Sequence, residues 1–305
     1  MKWFKQLSVV LINPESFPSI NVVEEKLTQH NIPLMMGLSK DVQGFVPAYS
    51  FTEQMIFPIE NSWKMRLKKE EKLLPSYIVN DELAVRIESV EKVEYRKISS
   101  REKREMKQSI IDDLLPKAFI KQSFIEALYN GTNGFLLIDQ ANESKRERFI
   151  SELREALGGL QVTLLNTKMS VTTLMTTWLR RGYAERNFTL DNFCELKSVS
   201  DTSSAIKFYK CDLLAHEIQD IVENDRFVSQ LALVWNDKIR FLLCHDFTLK
   251  NIRFIDMQVS DESDYDSDDS HSEIMLVSAN QMMMSSYFSQ IYEELIEHAG
   301  GLIED

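Results

Sequence analysis

The sequence predicts an α+β fold in which two sheet-containing parts carry a projecting helical finger. Three observations lead there. Short β-rich apolar runs recur, among them Val9, Val10, Leu11 and Ile12 and the FLLID of 135–139. Between about 76 and 128 helical spacing dominates, with Leu83, Ile87 and Val90 at i, i+4 and i+7. Near the C-terminal end three strands follow in succession, at 227–235, 238–244 and 249–255.

Taken in order, residues 1–12 read as a first strand and 22–29 as a short helix. Gly37, Gly44, Pro47 and Pro58 then punctuate short strands at 44–51 and 54–59. Residues 63–74 alternate loosely up to Pro75. Ser99 and Glu102 make a capping box for a helix that runs to about Leu115, where Pro116 interrupts it. The NGTNG of 130–134 is a turn before FLLID, and 143–157 form an amphipathic helix stopped by Gly158 and Gly159. A helix at 171–181, strands at 188–196 and 205–209 and a helix at 213–223 precede the strand triplet, whose first turn is Trp235-Asn236-Asp237-Lys238. Residues 261–272 read as a mobile Asp/Ser loop, 274–278 as a last strand, and Met283, Tyr287, Ile291 and Leu295 as a closing helix. The expected parts are 1–75 with 129–165, the finger at 76–128, and 166–305 with its acidic loop.

Composition narrows the function classes. The chain has 305 residues, 44% apolar and 27% charged, with ample length for a buried core. No apolar run reaches the ~18 residues of a membrane span, and the N-terminus lacks the small-residue cleavage site of a signal peptide. Cys194, Cys211 and Cys244 are odd in number and far apart, as in a cytoplasmic protein with reduced thiols. The formal net charge of −12 is uneven: no Lys or Arg follows Arg253, and 13 of the 47 acids lie in residues 254–305. Residues 1–253 thus balance 35 basic against 34 acidic side chains, a body able to carry a positive face.

Arg96, Lys97, Arg101, Lys103, Arg104 and Lys107 are the densest basic cluster, and past them Ile110, Ile111, Leu114 and Leu115 turn apolar. On a helix these two sets separate along the axis rather than around it. That predicts an anchored end and an end projecting into water, suited to a phosphate backbone. The alternative is a solvated face with internal Glu pairing. Lys117, Lys121, Lys145, Arg146, Arg148, Arg180 and Arg181 add charge nearby in sequence, and Phe119 sits either in a core or at an exposed contact tip. Enzyme signals are thin. No phosphate-loop, dinucleotide or zinc-binding motif occurs, so no cofactor or metal is expected. Cys244-His245-Asp246 is a tempting trio, but neighbours on a strand face opposite ways. Glu70 and Lys72 loosely match part of a metal-dependent nuclease motif without a nearby Asp, and the acidic tail offers a protein-interaction module as a third reading.

Several segments together resemble the RdgC family of bacterial recombination-associated proteins: MKWFKQL at the start, KKEEKLLPSYIVN at 68–80, DDLLPKAF at 112–119 and SQLALVWNDKIRFLLCHDFTLKNIRF at 229–254, followed by the C-terminal segments. The resemblance implies a non-catalytic, nucleoid-associated homodimer, ring-shaped and closed around duplex DNA with little sequence preference. It implies a role in recombination and at replication forks, by restraining a RecA-type recombinase. It places the LLP-x-AF segment, here Lys117 and Phe119, at a contact that closes the ring. Around YKCDL at 209–213 only Lys207 and Lys210 are basic, fewer than the family pattern carries. With Lys117, Lys121 and the 96–107 cluster they complete the candidate DNA-binding set.

Overall fold

The computed structural model describes residues 3–201, 203–223, 226–255 and 270–303. Its architecture is α+β, with two antiparallel sheets. The first is organised on β4 (Ser62–Leu73) and β5 (Phe119–Asn130), paired along their whole length from Ser62 opposite Asn130 to Leu73 opposite Phe119. β6 (Phe135–Ile138), β1 (Ser8–Leu11) and β7 (Thr163–Leu164) continue on one side. β2 (Asp41–Val46) lies on the other, and β3 (Phe57–Ile59) pairs with the start of β4.

Alternation along β4 explains its two faces. Trp63, Met65 and Leu67 point to one side, where helices α1 (Ile20–Gln29) and α4 (Glu143–Leu157) supply Val23, Leu27, Phe149 and Leu153 to a closed core. Lys64, Arg66 and Lys68 belong to the other face. β2 approaches the segment before it so closely that a Cβ on Gly44 would lie 2.5 Å from the Ile32 backbone, so only glycine fits there.

The second sheet has the order β12-β11-β10-β8-β9. Its strands are β8 (Phe188–Ser198), β9 (Ala205–Tyr209), β10 (Arg226–Trp235), β11 (Ile239–Cys244) and β12 (Leu249–Phe254). Asn236 and Asp237 both have φ near +50° in the β10–β11 turn, the backbone a two-residue hairpin needs. Helices α5 (Val171–Arg181), α6 (His216–Glu223) and α7 (Ser270–His298) accompany this sheet, and Trp178, Trp235, Phe241, Phe288 and Tyr292 fill the core between them. The sheets are stapled together by backbone: Leu7 and Leu249 exchange two 2.8 Å hydrogen bonds, and the Ile252 N–H donates to the Lys5 carbonyl. Trp3 packs against Phe254 beside this seam, with ring centres 4.2 Å apart and planes tilted by 54°.

Two expectations change. Residues 274–278 are helix, not strand: Val277 packs against Ala48 and Tyr49, and Gln281 one turn on donates to the Phe57 and Ser62 carbonyls, so α7 continues straight through. The helical excursion also ends sooner. It consists of α2 (Ser76–Glu94), α3 (Ser100–Leu114) and a short 3-10 turn at Leu115–Lys117, and residues 119–128 are strand because they pair with β4. Of the expected Asp/Ser loop at 261–272, residues 261–269 lie outside the described residues, and 270–272 begin α7.

Candidate nucleic-acid interface

The finger is an antiparallel helical hairpin set between the ends of β4 and β5. Pro75 starts α2 with its fixed φ. Tyr95 ends it in the left-handed region, and Ser99 with Glu102 forms the capping box that starts α3. Arg86 donates across the hairpin to Asp113 at 3.0 Å, and Lys107 to Asn80 at 3.0 Å. Few apolar groups are sealed inside it: Val79, Ile98, Ile110 and Leu115. The axial division expected for α3 is present. Arg101 near the tip has a side chain 89% exposed, whereas Ile110 near the base is buried.

Much of the finger's positive charge is answered within it. Residues 76–118 hold nine Lys or Arg and nine Asp or Glu. Arg96 grips Glu102 through two hydrogen bonds, at 2.6 and 3.1 Å, and also Glu94 at 2.6 Å. Hydrogen bonds from Arg96 and from the Ser99 backbone and hydroxyl hold the Glu102 carboxyl down to about 2. Arg101 pairs with Glu105 at 2.9 Å. Lys97, Lys103 and Arg104 have no carboxylate partner among the described residues, so they are the finger's available cations.

At the finger's base, Phe119 is 85% exposed and stands opposite Leu73, with Tyr77 and Ile120 also exposed. An aromatic ring so open at the end of a paired strand is not part of the core. Lys117 precedes it without a carboxylate partner among the described residues, and Lys121 faces Glu71 at 3.8 Å. Lys72 donates to the Met36 and Gly37 carbonyls, anchoring a loop that exposes Leu34, Met36 and Leu38.

The remaining candidates lie at the edge of the second sheet. On β9, Lys207 bonds Glu195 at 2.9 Å, and Lys210 follows the strand in the left-handed region. Burial pushes the Glu195 carboxyl up, but hydrogen bonds from Ser229 and Lys207 outweigh it and keep the carboxyl below its usual range. The ten predicted side chains thus occupy three places: the finger, its base and the β9 edge. Other cations escaped sequence reasoning because they meet only through strand register. Arg240 stands opposite Arg253 on the outer face of the second sheet, with Asp191 2.8 Å from Arg240. Arg66 lies 3.8 Å over the Phe124 ring, with Lys68 6.0 Å from it.

The nuclease reading finds little support in the donor set. Glu70 accepts from Lys68 at 2.6 Å and from Gln122 at 3.1 Å, and its cross-strand neighbours are Val42 and Gln122. No group of three His, Cys, Asp or Glu side chains that could hold a metal ion occurs among the described residues. Burial pushes the Cys194 and Cys244 thiols up to about 12, which keeps them protonated and poor nucleophiles. No helix among the described residues is long and apolar enough to cross a membrane.

Comparison with known proteins agrees with the segments quoted from the sequence. The RdgC family, described as "Putative exonuclease, RdgC", matches residues 2–302. A recombination-associated protein RdgC of Neisseria meningitidis serogroup B is 40% identical over 299 residues, covering 98% of this chain and 99% of the relative. Those of Laribacter hongkongensis and Proteus mirabilis are 33% and 30% identical, each over at least 99% of both chains. The chain belongs to the RdgC family of recombination-associated proteins.

Proposed function

We propose that two copies of this chain close a ring around duplex DNA and hold it without cleavage and with little sequence preference. By occupying DNA the ring limits strand exchange by a RecA-type recombinase. The observation that carries this reading is the exposed Phe119–Leu73 end of the long β4–β5 hairpin, an apolar surface beside Lys117 and beneath a finger with uncommitted Lys97, Lys103 and Arg104. A C2 pair presents every such surface twice and lets like patches meet. Phosphate contacts from flexible cations position a protein without reading bases, which fits weak sequence preference. In this scheme residues 1–75 with 119–165, the finger at 76–118 and residues 166–305 are the three working parts of each half ring. The protein acts in the cytoplasm, on the nucleoid.

A gel shift with a salt titration, run beside the mass in solution, tests the proposal. A dimer that retains duplex of any sequence, with log K falling against log salt at a slope of roughly −5 to −9 for six to ten phosphates, is the expected result. A monomer at micromolar concentration, or no duplex retention at low salt, overturns it. Magnesium-dependent shortening of the DNA would favour the exonuclease that the family description names.

A further inference from the structure

A polar cleft of about 260 Å³, room for a small molecule, lies at the end of the β4–β5 ladder away from the finger. Its walls are the β3–β4 turn, the β5–β6 turn and α7 between Met282 and Glu293. One lining group is left over. Ser62 is only 5% exposed, and its hydroxyl has no hydrogen-bond partner. Ser62 stands directly opposite Asn130 in the ladder, and opposite residues share a face of the sheet. The Asn130 amide donates to Ser289 at 3.0 Å and to Ser285 at 3.4 Å, both on α7. The Ser62 hydroxyl therefore also faces α7 across the cleft. A hydroxyl buried without a partner is costly unless a ligand supplies one.

The other lining groups decide what that ligand is. The amides are spent on oxygens of the cleft itself: Asn61 donates to Thr132 at 3.1 Å, Gln290 to Ser286 at 3.0 Å and Asn133 to Glu293 at 2.9 Å. No Lys or Arg lines the cleft, so an anion would meet no counter-charge. Glu60 on the turn and Glu293 on α7 meet no cation among the described residues. Two carboxylates are too few for a metal, and no group of three His, Cys, Asp or Glu able to hold one occurs among the described residues. What the cleft offers is hydroxyl and carboxylate oxygen, which suits an ammonium group, with three N–H donors and no acceptor. Carboxylates on two different walls suit a molecule with an ammonium at each end, and Ile59 and Met282 give its methylene chain an apolar surface.

We infer that this cleft binds an aliphatic diamine or polyamine. One ammonium donates to the Ser62 hydroxyl, and Glu60 and Glu293 balance the ligand's charge. The site lies at the opposite end of the ladder from Phe119 and needs neither the ring nor DNA.

Equilibrium dialysis and melting curves of the full chain with putrescine, against potassium chloride at matched ionic strength and without DNA, test the inference. The wild type should bind one putrescine per chain and melt higher as the site fills. Glu60→Gln and Glu293→Gln should each weaken binding roughly tenfold, the loss of one charge-assisted hydrogen bond, and butylamine, with a single ammonium, should bind the wild type more weakly by a similar factor. Ser62→Ala should weaken putrescine binding too, yet leave the ligand-free melting temperature unchanged or raised, because its hydroxyl has no partner to lose. Equal putrescine binding by the wild type and all three variants is the diffuse attraction of an acidic chain and overturns the cleft. A ligand-free melting temperature lowered by Ser62→Ala would mean that the hydroxyl is already satisfied, and overturns it as well. Butylamine binding as tightly as putrescine overturns the two-ended ligand.

Discussion

Lys64 lies 2% exposed with its ammonium 3.8 Å from the centre of the Tyr49 ring and 2.8 Å from the Glu126 carboxylate. Burial lowers its pKa and the Glu126 charge works against that shift. The Tyr49 hydroxyl donates to Gln281, so a charged strand residue, an aromatic loop and α7 are fastened at one point. Lys64→Ala should cost about 2–3 kcal/mol, below the usual range for a broken buried pair because Glu126 stays partly hydrated and near Arg66. Lys64→Met, which keeps the stem, should cost less than half as much; urea midpoints would show the order, and equal losses would mean that the charge contacts alone matter. Glu102 offers a sharper reading. Its carboxyl is depressed from 4.5 to about 2, so its stabilisation is complete above about pH 4.5 and disappears as pH falls toward 2. Carboxyl NMR should give a midpoint near 2, rising by a unit or more in Arg96→Ala. A wild-type midpoint near the ordinary ~4.3 would show that the finger's turn is not held this way.

Among elements, the finger shows how far the sequence reaches. The capping box, the helix it starts and the stop at Pro116 were all readable, because each depends on residues within a turn of one another. What the basic run does was not readable, because its partners Glu94, Glu102 and Glu105 become significant only with side-chain geometry. The same limit hid β7, two residues long, and the helical state of 274–278, where a β-rich apolar run is overridden by packing on Tyr49. Lys145 and Arg148 are visible as letters, but their nearness to Lys69 and Ser123 needs the β4–β5 register. Among the finger's residues, Lys103→Glu/Arg104→Glu should weaken all duplexes alike and flatten the salt slope, and Arg96→Glu/Arg101→Glu should do so less, since those charges are already paired. Equal effects from the two pairs would show that the internal ion pairs open on DNA. The hairpin's few buried groups also predict faster amide exchange in α2 and α3 than in β10, whose inward side chains are sealed in the main core.

For the molecule as a whole, the exposed Phe119 separates assembly from folding. Phe119→Ala removes little buried surface and should leave the melting temperature within about 2 °C, since exposed positions seldom matter to stability. The proposed ring should nevertheless open more readily, seen as faster loss from closed circular DNA; wholesale unfolding would mean that Phe119 is core after all. The backbone staple between Leu7 and Leu249 bears on a different event, the birth of the protein at the ribosome. The partners of that staple are separated by more than two hundred residues, so the opening segment must wait, its Trp3 and Phe4 uncovered, until β12 has left the exit tunnel. Translation that stalls before β12 would therefore release a chain with sticky aromatic ends and an unfinished sheet, a natural client for chaperones.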